Sequence, residues 1–409
     1  MAFADRYLQK HAAGKPLIGI EPGADLRHIV AIPATRESGL TKCLDSLFLC
    51  DPPGSPTEVI VLINTAENSD PDTLQLNRKV HQEATAWAKE HRREDLVFHI
   101  LLAEDLPARH YGAGLARKMV MDEAVHRFDA LDRSDGVIVS LDADCTVERN
   151  YLSAVVQHFK SQPATHGCSI AFEHPKSGSE FPPEVYEAIK NYELHQRYYL
   201  AAVRYTGYPY AYHTVGSCFA VRAGVYCSQG GMSRRQAGED FYFIQKVAMQ
   251  GRWSECNNTT VYPSPRPSDR VPFGTGPAVK RQLEAQSTQH SGGTPHSTDI
   301  PWFPTHHPEL FEMVKALYDL IPGYYAANDP ASLNNALHPL LQQYMTECGF
   351  DELVAEIRAN VASQAAFRER FFRKFNMLWL LQWLHFGRER GFGDVKLTEV
   401  LYNSFYNEK

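Results

Sequence analysis

Short apolar runs alternate with helical patterns from His28 to Asp144, and that alternation confines the chain to an α/β layer. His28 to Pro33 reads as a first strand. Leu40, Cys43, Leu44, Leu47 and Phe48 then recur at helical spacing, until three prolines and a glycine between Asp51 and Pro56 break the pattern. Glu58 to Ile63 is a second strand, Thr73 to Arg92 a polar helix and Leu96 to Leu102 a third strand. Gly112-Ala113-Gly114 opens a further helix, and Val137-Ile-Val-Ser-Leu141 is the fourth strand. Strands separated by helices in this order predict a right-handed, mostly parallel sheet flanked by helices.

The fourth strand ends in Asp142-Ala143-Asp144. Parallel strands deliver their last residues to the sheet's carboxyl edge, where ligands bind in such folds. Two acids at i and i+2 on a strand share a face and suit one hard cation together with whatever that cation holds. Solvated carboxylates in an Asp-rich turn are the plain alternative. A second acidic pair, Glu239-Asp240, opens an apolar helix about a hundred residues later. Acids in a first helical turn are favoured by the dipole alone. Following the Ser233-Arg-Arg-Gln-Ala-Gly238 loop, however, they stand where the chain returns to the same edge. One acid centre for metal and one for proton abstraction make a coherent reaction site.

Positive charge for an anion is offered at two places. Arg117 and Lys118 follow the glycines that open the fourth-strand helix, glycines that would let backbone amides approach a ligand. Arg266 and Arg270 lie in Tyr262 to Gly276, whose proline and glycine density forbids regular structure, and their guanidinium forks suit a diphosphate. The chain as a whole carries 41 basic against 48 acidic residues, a formal charge of -7. That balance excludes a nucleic-acid binder and any general attraction to anionic lipid.

The 8 cysteines show neither a C-x-x-C pair nor zinc-ligand spacing and read as small buried groups. Charges at Asp5, Arg6, Lys10 and Lys15 interrupt any leader or membrane span, so a cytoplasmic setting is expected. A long helix from Pro183 carries Tyr186, Tyr192, Tyr198, Tyr199 and Tyr205, a stripe suited first to a core and second to a sugar platform. Beyond Pro301 only helical patterns occur. Phe367, Phe371, Phe375, Leu378 and Trp379 lie along one stripe, and Met377 to Phe386 is apolar nearly all round. That run is too short to cross a bilayer, so a helical cap is expected, with peripheral membrane contact left open.

Taken in order, Ile32-Pro-Ala-Thr-Arg-Glu37, Gly114-Leu-Ala-Arg-Lys118, Leu141-Asp-Ala-Asp144 and Ala237-Gly-Glu-Asp-Phe241 resemble the inverting, family 2 type glycosyltransferases of the GT-A fold. The resemblance covers roughly residues 27 to 276. Asn64 stands where many relatives carry an Asp-Asp-Gly-Ser sequence, which leaves the nucleotide base open. No Q-x-x-R-W sequence follows the second acidic pair, which argues against a polymerising synthase.

The resemblance implies a GT-A domain, taken over residues 1–280; the polar stretch 281–300 with Gly292-Gly293 reads as a flexible connector, and 301–409 as a helical extension. The resemblance also implies that Pro33, Thr35, Glu37 and Asn64 surround the nucleoside of a UDP or GDP sugar, with Lys118 near the nucleotide. Asp142 would contact the ribose or a metal-bound water, and Asp144 would hold Mn²⁺ or Mg²⁺. Asp240 would be the general base, with Glu239 orienting the acceptor or the base. Arg266 and Arg270 would aid the metal on the diphosphate. The acceptor, a glycan or a lipid-linked group, stays open. Two rival readings also remain open: a sugar-phosphate nucleotidyltransferase, and a nucleotide- or glycan-binding protein of this fold without turnover.

Overall fold

The computed structural model describes residues 2–290 and 303–400, and the chain forms two compact units. Unit 1 consists of Met1–Ile189 and Tyr212–Arg281, unit 2 of Lys190–Ala211 and Gln282–Lys409.

Unit 1 is built on one sheet of β1 (His28–Ala34), β2 (Thr57–Ala66), β3 (Leu96–Leu106), β4 (Val137–Ser140), β5 (Thr146–Val147), β6 (Gly167–Phe172), β7 (Phe219–Arg222) and β8 (Trp253–Tyr262). Their order across the sheet is β3-β2-β1-β4-β7-β6-β8-β5. The expected parallel layer forms the β3-β2-β1-β4 half. β7 enters antiparallel to both β4 and β6, so the whole sheet is mixed. Every residue of β2 is buried, as an interior parallel strand requires, and each such Val or Ile contributes roughly 1.5–3 kcal/mol.

The unit's helices are α1 (Asp5–Lys10), α2 (Leu40–Phe48), α3 (Pro71–Glu90), α4 (Ala113–Ala130), α5 (Tyr151–Ser161), the first part of α6 (Pro183–Tyr205), α7 (Ala223–Ser228), α8 (Glu239–Ala248) and the start of α9 (Thr275–His290). α3 starts where Asp70 accepts the Thr73 amide and Pro71 fixes the first turn. α4 is enclosed on all sides although it is rich in charge. Arg127 forks onto Glu58 of β2, while Glu123 accepts the amides of Leu17 and Ile18, and Asp122 that of Ala13. Its charges are thus spent on a strand and on the N-terminal segment, which sequence periodicity had left without a role.

Two expectations shift. The strand foreseen from Thr214 begins only at Phe219, because the Gly216 carbonyl accepts hydrogen bonds from side chains instead of a neighbouring strand. α9 occupies the first part of the expected connector, and residues 291–300 lie outside the described residues.

Unit 2 is helical apart from a short two-stranded pairing of residues 304–305 with 395–396. It contains the second part of α6, then α10 (Pro308–Asp319), α11 (Ile321–Ala326), α12 (Pro339–Glu347), α13 (Phe350–Ala359), α14 (Gln364–Lys374) and α15 (Met377–Arg388). The aromatic stripe falls on two helices rather than one, since Asn376 caps α15 by accepting the Leu378 and Trp379 amides. Phe367, Phe371, Phe375 and Trp383 are buried together, and only Leu378 of the stripe is exposed. Among the described residues no helix is long and apolar enough to cross a membrane. All eight cysteines are free, and Cys43, Cys50, Cys145, Cys168, Cys218 and Cys256 are buried as expected.

Candidate active site

The carboxyl ends of β1 and β2 are locked together by two asparagines. Asn64 donates to the Ala34 carbonyl at 2.8 Å. Asn77, on α3, donates to the Asn64 carbonyl at 2.9 Å and to Thr35 Oγ1 at 3.3 Å, and accepts the Arg36 amide at 2.7 Å. That last bond holds Arg36 at φ 49°, a left-handed conformation an arginine rarely adopts, and turns the chain toward Glu37. Thr35 Oγ1 also lies 3.0 Å from Tyr111 Oη.

The buried Glu37 carboxylate is then gripped from the Pro-rich segment. Arg266 forks onto it at 2.6 and 3.2 Å, and Arg270 reaches it at 3.3 Å while donating to the Thr35 carbonyl at 2.8 Å. The same two guanidinium groups lie 3.6 and 3.9 Å from Asp144 Oδ2. Thr35, Glu37, Asp144, Arg266 and Arg270, spread over more than half the sequence, thereby converge. Burial, and then the charges of Asp142 and Glu37, push the Asp144 carboxyl up to about 6 against the pull of both arginines. It is nevertheless 28% exposed, so a ligand can reach it.

A second centre forms around Arg117. β4 ends at Ser140, and Asp142 and Asp144 occupy the turn beyond it, so the side-by-side arrangement of a strand does not apply to them. Asp142 points instead to Arg117, its Oδ1 2.9 Å from Nη2. Arg117 Nε donates to Glu239 at 3.1 Å, and Nη1 donates to Ser140 Oγ at 2.7 Å and to the Gly216 carbonyl at 2.9 Å. Burial opposes the guanidinium charge, but Asp142, Glu239 and Asp240 raise its pKa and keep it protonated. One buried cation therefore ties the Asp-x-Asp turn to the Glu-Asp helix start.

Asp240 occupies the free side of that helix start. Burial, then the neighbouring Glu239 charge, push its carboxyl up to about 7 against Arg117 and the Phe241 amide that it accepts. This direction is opposite to the one a helix start alone favours, because loss of water and an adjacent negative charge both disfavour the ionised carboxylate. Glu239 is 3% exposed and spent on Arg117, so it faces the protein rather than an acceptor. Gly216 makes the approach possible: a Cβ there would lie 2.7 Å from Arg117 Nη2 and 2.9 Å from Asp240 Oδ2.

Other expected site residues stand elsewhere. Lys118 is buried on the far side of α4, donating to Tyr7 Oη at 2.8 Å and paired with Asp122 at 3.0 Å, so it does not join the cluster. A helical step of one residue turns a side chain by about 100°, which sends Arg117 to the site and its neighbour away. Asn64, 2% exposed, has its amide turned onto the backbone, and Pro33 is half-buried within β1. The start of α4 is not open to a ligand either. A Cβ on Gly114 would meet the Arg235 carbonyl at 2.1 Å, so the glycine admits the chain's own 233–236 loop. Of the tyrosine stripe, Tyr186 and Tyr198 are buried, and Tyr198 packs edge-on against Phe311 within unit 2. Asn77, Tyr111 and Ser140 carried no signal of their own in the sequence.

No protein-family model matches this chain, and no curated protein matches it. Among solved structures it is similar to S. aureus TarS 1–349, at 12% identity and a TM-score of 0.40 over 86% of this chain and 92% of that one. The same protein in complex with UDP-GlcNAc gives 13%, 0.40, 85% and 92%. It is also similar to the mannosyltransferase PcManGT from Pyrobaculum calidifontis in complex with GDP-Man and Mn²⁺, at 18% identity and a TM-score of 0.38 over 91% and 93%. The chemistry rests on the residues themselves.

Proposed function

We propose that the protein is a non-processive, inverting glycosyltransferase of the GT-A type, moving a hexosyl group from a nucleotide-diphosphate sugar, UDP- or GDP-linked, to an acceptor hydroxyl. The observation that carries this reading is the Arg117 guanidinium, which joins Asp142 to Glu239 and so sets the raised Asp240 carboxyl beside the acidic turn at the sheet's carboxyl edge. In the reaction, Asp240 takes the acceptor proton as the acceptor oxygen attacks the anomeric carbon from the face opposite the diphosphate. The bond from that carbon to the diphosphate oxygen breaks, and the electron pair leaves with the diphosphate. A base with a pKa near 7 suits this task at neutral pH. Arg266 and Arg270, positioned by Glu37 and the Thr35 carbonyl, offer their remaining N–H donors and positive charge to the departing diphosphate. Inversion follows from the single displacement.

The residues fit a divalent cation. Asp144 is partly exposed and burdened by the charges of Asp142 and Glu37, a burden that a cation relieves, while Asp142 Oδ1 is already paired with Arg117. Asp144 with Asp142 would hold Mn²⁺ or Mg²⁺, which when bound supplies Lewis-acid charge at the diphosphate.

The test is a thermal-shift panel of UDP, GDP and their sugars with and without Mn²⁺, followed by a transfer assay. A ligand at a hundred times its Kd stabilises by about 2.7 kcal/mol. Nucleotide-sugar binding with no transfer or donor hydrolysis would favour a binding protein without turnover. Release of pyrophosphate from a nucleoside triphosphate and a sugar phosphate would favour a nucleotidyltransferase.

A further inference from the structure

Two large rings remain in water beside the candidate base. Phe273 is 54% exposed and Tyr242 36% exposed, whereas most large apolar side chains of unit 1 are buried. Both stand at the start of α8. The Tyr242 amide donates to the Gly238 carbonyl, so positions 238 and 242 are neighbours on one face, a turn apart. Gly238 has no side chain, and the Phe273 ring stands where one would be, its Cζ 3.1 Å from an ideal Cβ. Phe273, from the Pro-rich segment, thus stands against the N-cap of α8, and Tyr242 lies one turn further along that helix.

Asp240 lies on the opposite flank. Two helical steps turn a side chain by about 200°, and the Asp240 carboxylate accordingly faces Gly216. A helix with its side chains is about 10 Å across, so a molecule that offers a hydroxyl to Asp240 and reaches Phe273 must extend beyond a single sugar ring. Arg235 lies with its guanidinium over one face of Tyr242, 3.9 Å from the ring centroid, which steadies the ring and leaves its other face to a ligand. Arg234, Arg235 and Gln236 are exposed in the loop that leads into α8, so the two rings belong to a largely polar stretch rather than a broad apolar surface. Such a setting matches a pyranose, whose C–H face lies on an aromatic ring while its hydroxyls meet polar groups.

We propose that Phe273 and Tyr242 form an acceptor subsite for a saccharide, holding a sugar unit beyond the one whose hydroxyl faces Asp240. This rests on the glycosyltransferase reading and adds to it that the acceptor is an oligosaccharide or a longer glycan. The test uses the complete chain with UDP, GDP and Mn²⁺ present and saturation-transfer NMR. Methyl glycosides of glucose, galactose, mannose and N-acetylglucosamine are compared with cellobiose, lactose, mannobiose and diacetylchitobiose. At least one disaccharide should bind about tenfold more tightly than its monosaccharide, and Phe273→Ala should remove that advantage while Phe273→Trp restores it. The unliganded melting temperature of Phe273→Ala, at an exposed position, should equal the parent's. Equal affinity for single and paired sugars, or a disaccharide advantage that survives Phe273→Ala, overturns the subsite. Failure of the glycosyltransferase reading is read separately, as the absence of any thermal shift with nucleotide sugars in the parent chain.

Discussion

Arg117→Met tests whether one buried cation holds the site together. The substitution keeps most of the side-chain volume and removes the guanidinium that faces Asp142 at 2.9 Å and Glu239 at 3.1 Å. Asp142 is 38% exposed overall although the oxygen facing Arg117 is buried, so it keeps part of its solvation and its loss is the smaller one. Glu239 is 4% exposed along its side chain and is left as a buried charge without its partner, at a cost of about 3–5 kcal/mol. The Ser140 hydroxyl still donates to the Gly216 carbonyl at 2.7 Å, so that contact survives and adds little to the loss. Urea unfolding of the complete chain should therefore show about 3–5 kcal/mol of destabilisation. Arg117→Met combined with Glu239→Gln should recover a substantial part of it, because the stranded charge is gone. A loss below about 1 kcal/mol, as for a surface pair, or a double variant no better than the single one, would refute the central role given to Arg117.

Asp240→Asn should retain the donor thermal shift and lose roughly two to four orders of magnitude in transfer, and retention of near-parent rates would remove it as the base. Because its carboxyl is pushed up to about 7 and must be deprotonated to act, parent transfer should rise with pH to about 7 and level off above it. Asp144→Ala should abolish the Mn²⁺-dependent part of the UDP or GDP thermal shift, and equal shifts in parent and variant would take Asp144 out of the site. In unit 2, burial lowers His195 to about 4, so the folded unit prefers it neutral while the unfolded chain protonates near 6.5. The stabilisation is fully present above about 6.5 and is lost as pH falls toward about 4, some 2 kcal/mol of it by about pH 5. Urea unfolding at those pH values should show a smaller acid loss in His195→Gln than in the parent.

The architecture was legible because it rests on local periodicities. Apolar runs at residues 28–33, 58–63 and 96–102, separated by turn residues and helical spacing, leave little choice but strands β1 to β3 in a parallel layer, although the strands themselves run on to 34, 66 and 106. The acidic turn after β4, the acids opening α8 and the two arginines among prolines were likewise visible as residue types in ordered positions. What those residues touch was not. Whether Arg117 or Lys118 faces the site depends on how α4 is rotated about its axis, and that rotation is fixed by Glu58 and by the N-terminal segment, both distant in sequence. The Asp240 carboxyl gives the clearest division: sequence placed it at a helix start, where the dipole favours its charge. Only the fold buried it against Glu239, and in that setting desolvation and a like charge both disfavour the ionised carboxylate and give the shift the opposite direction.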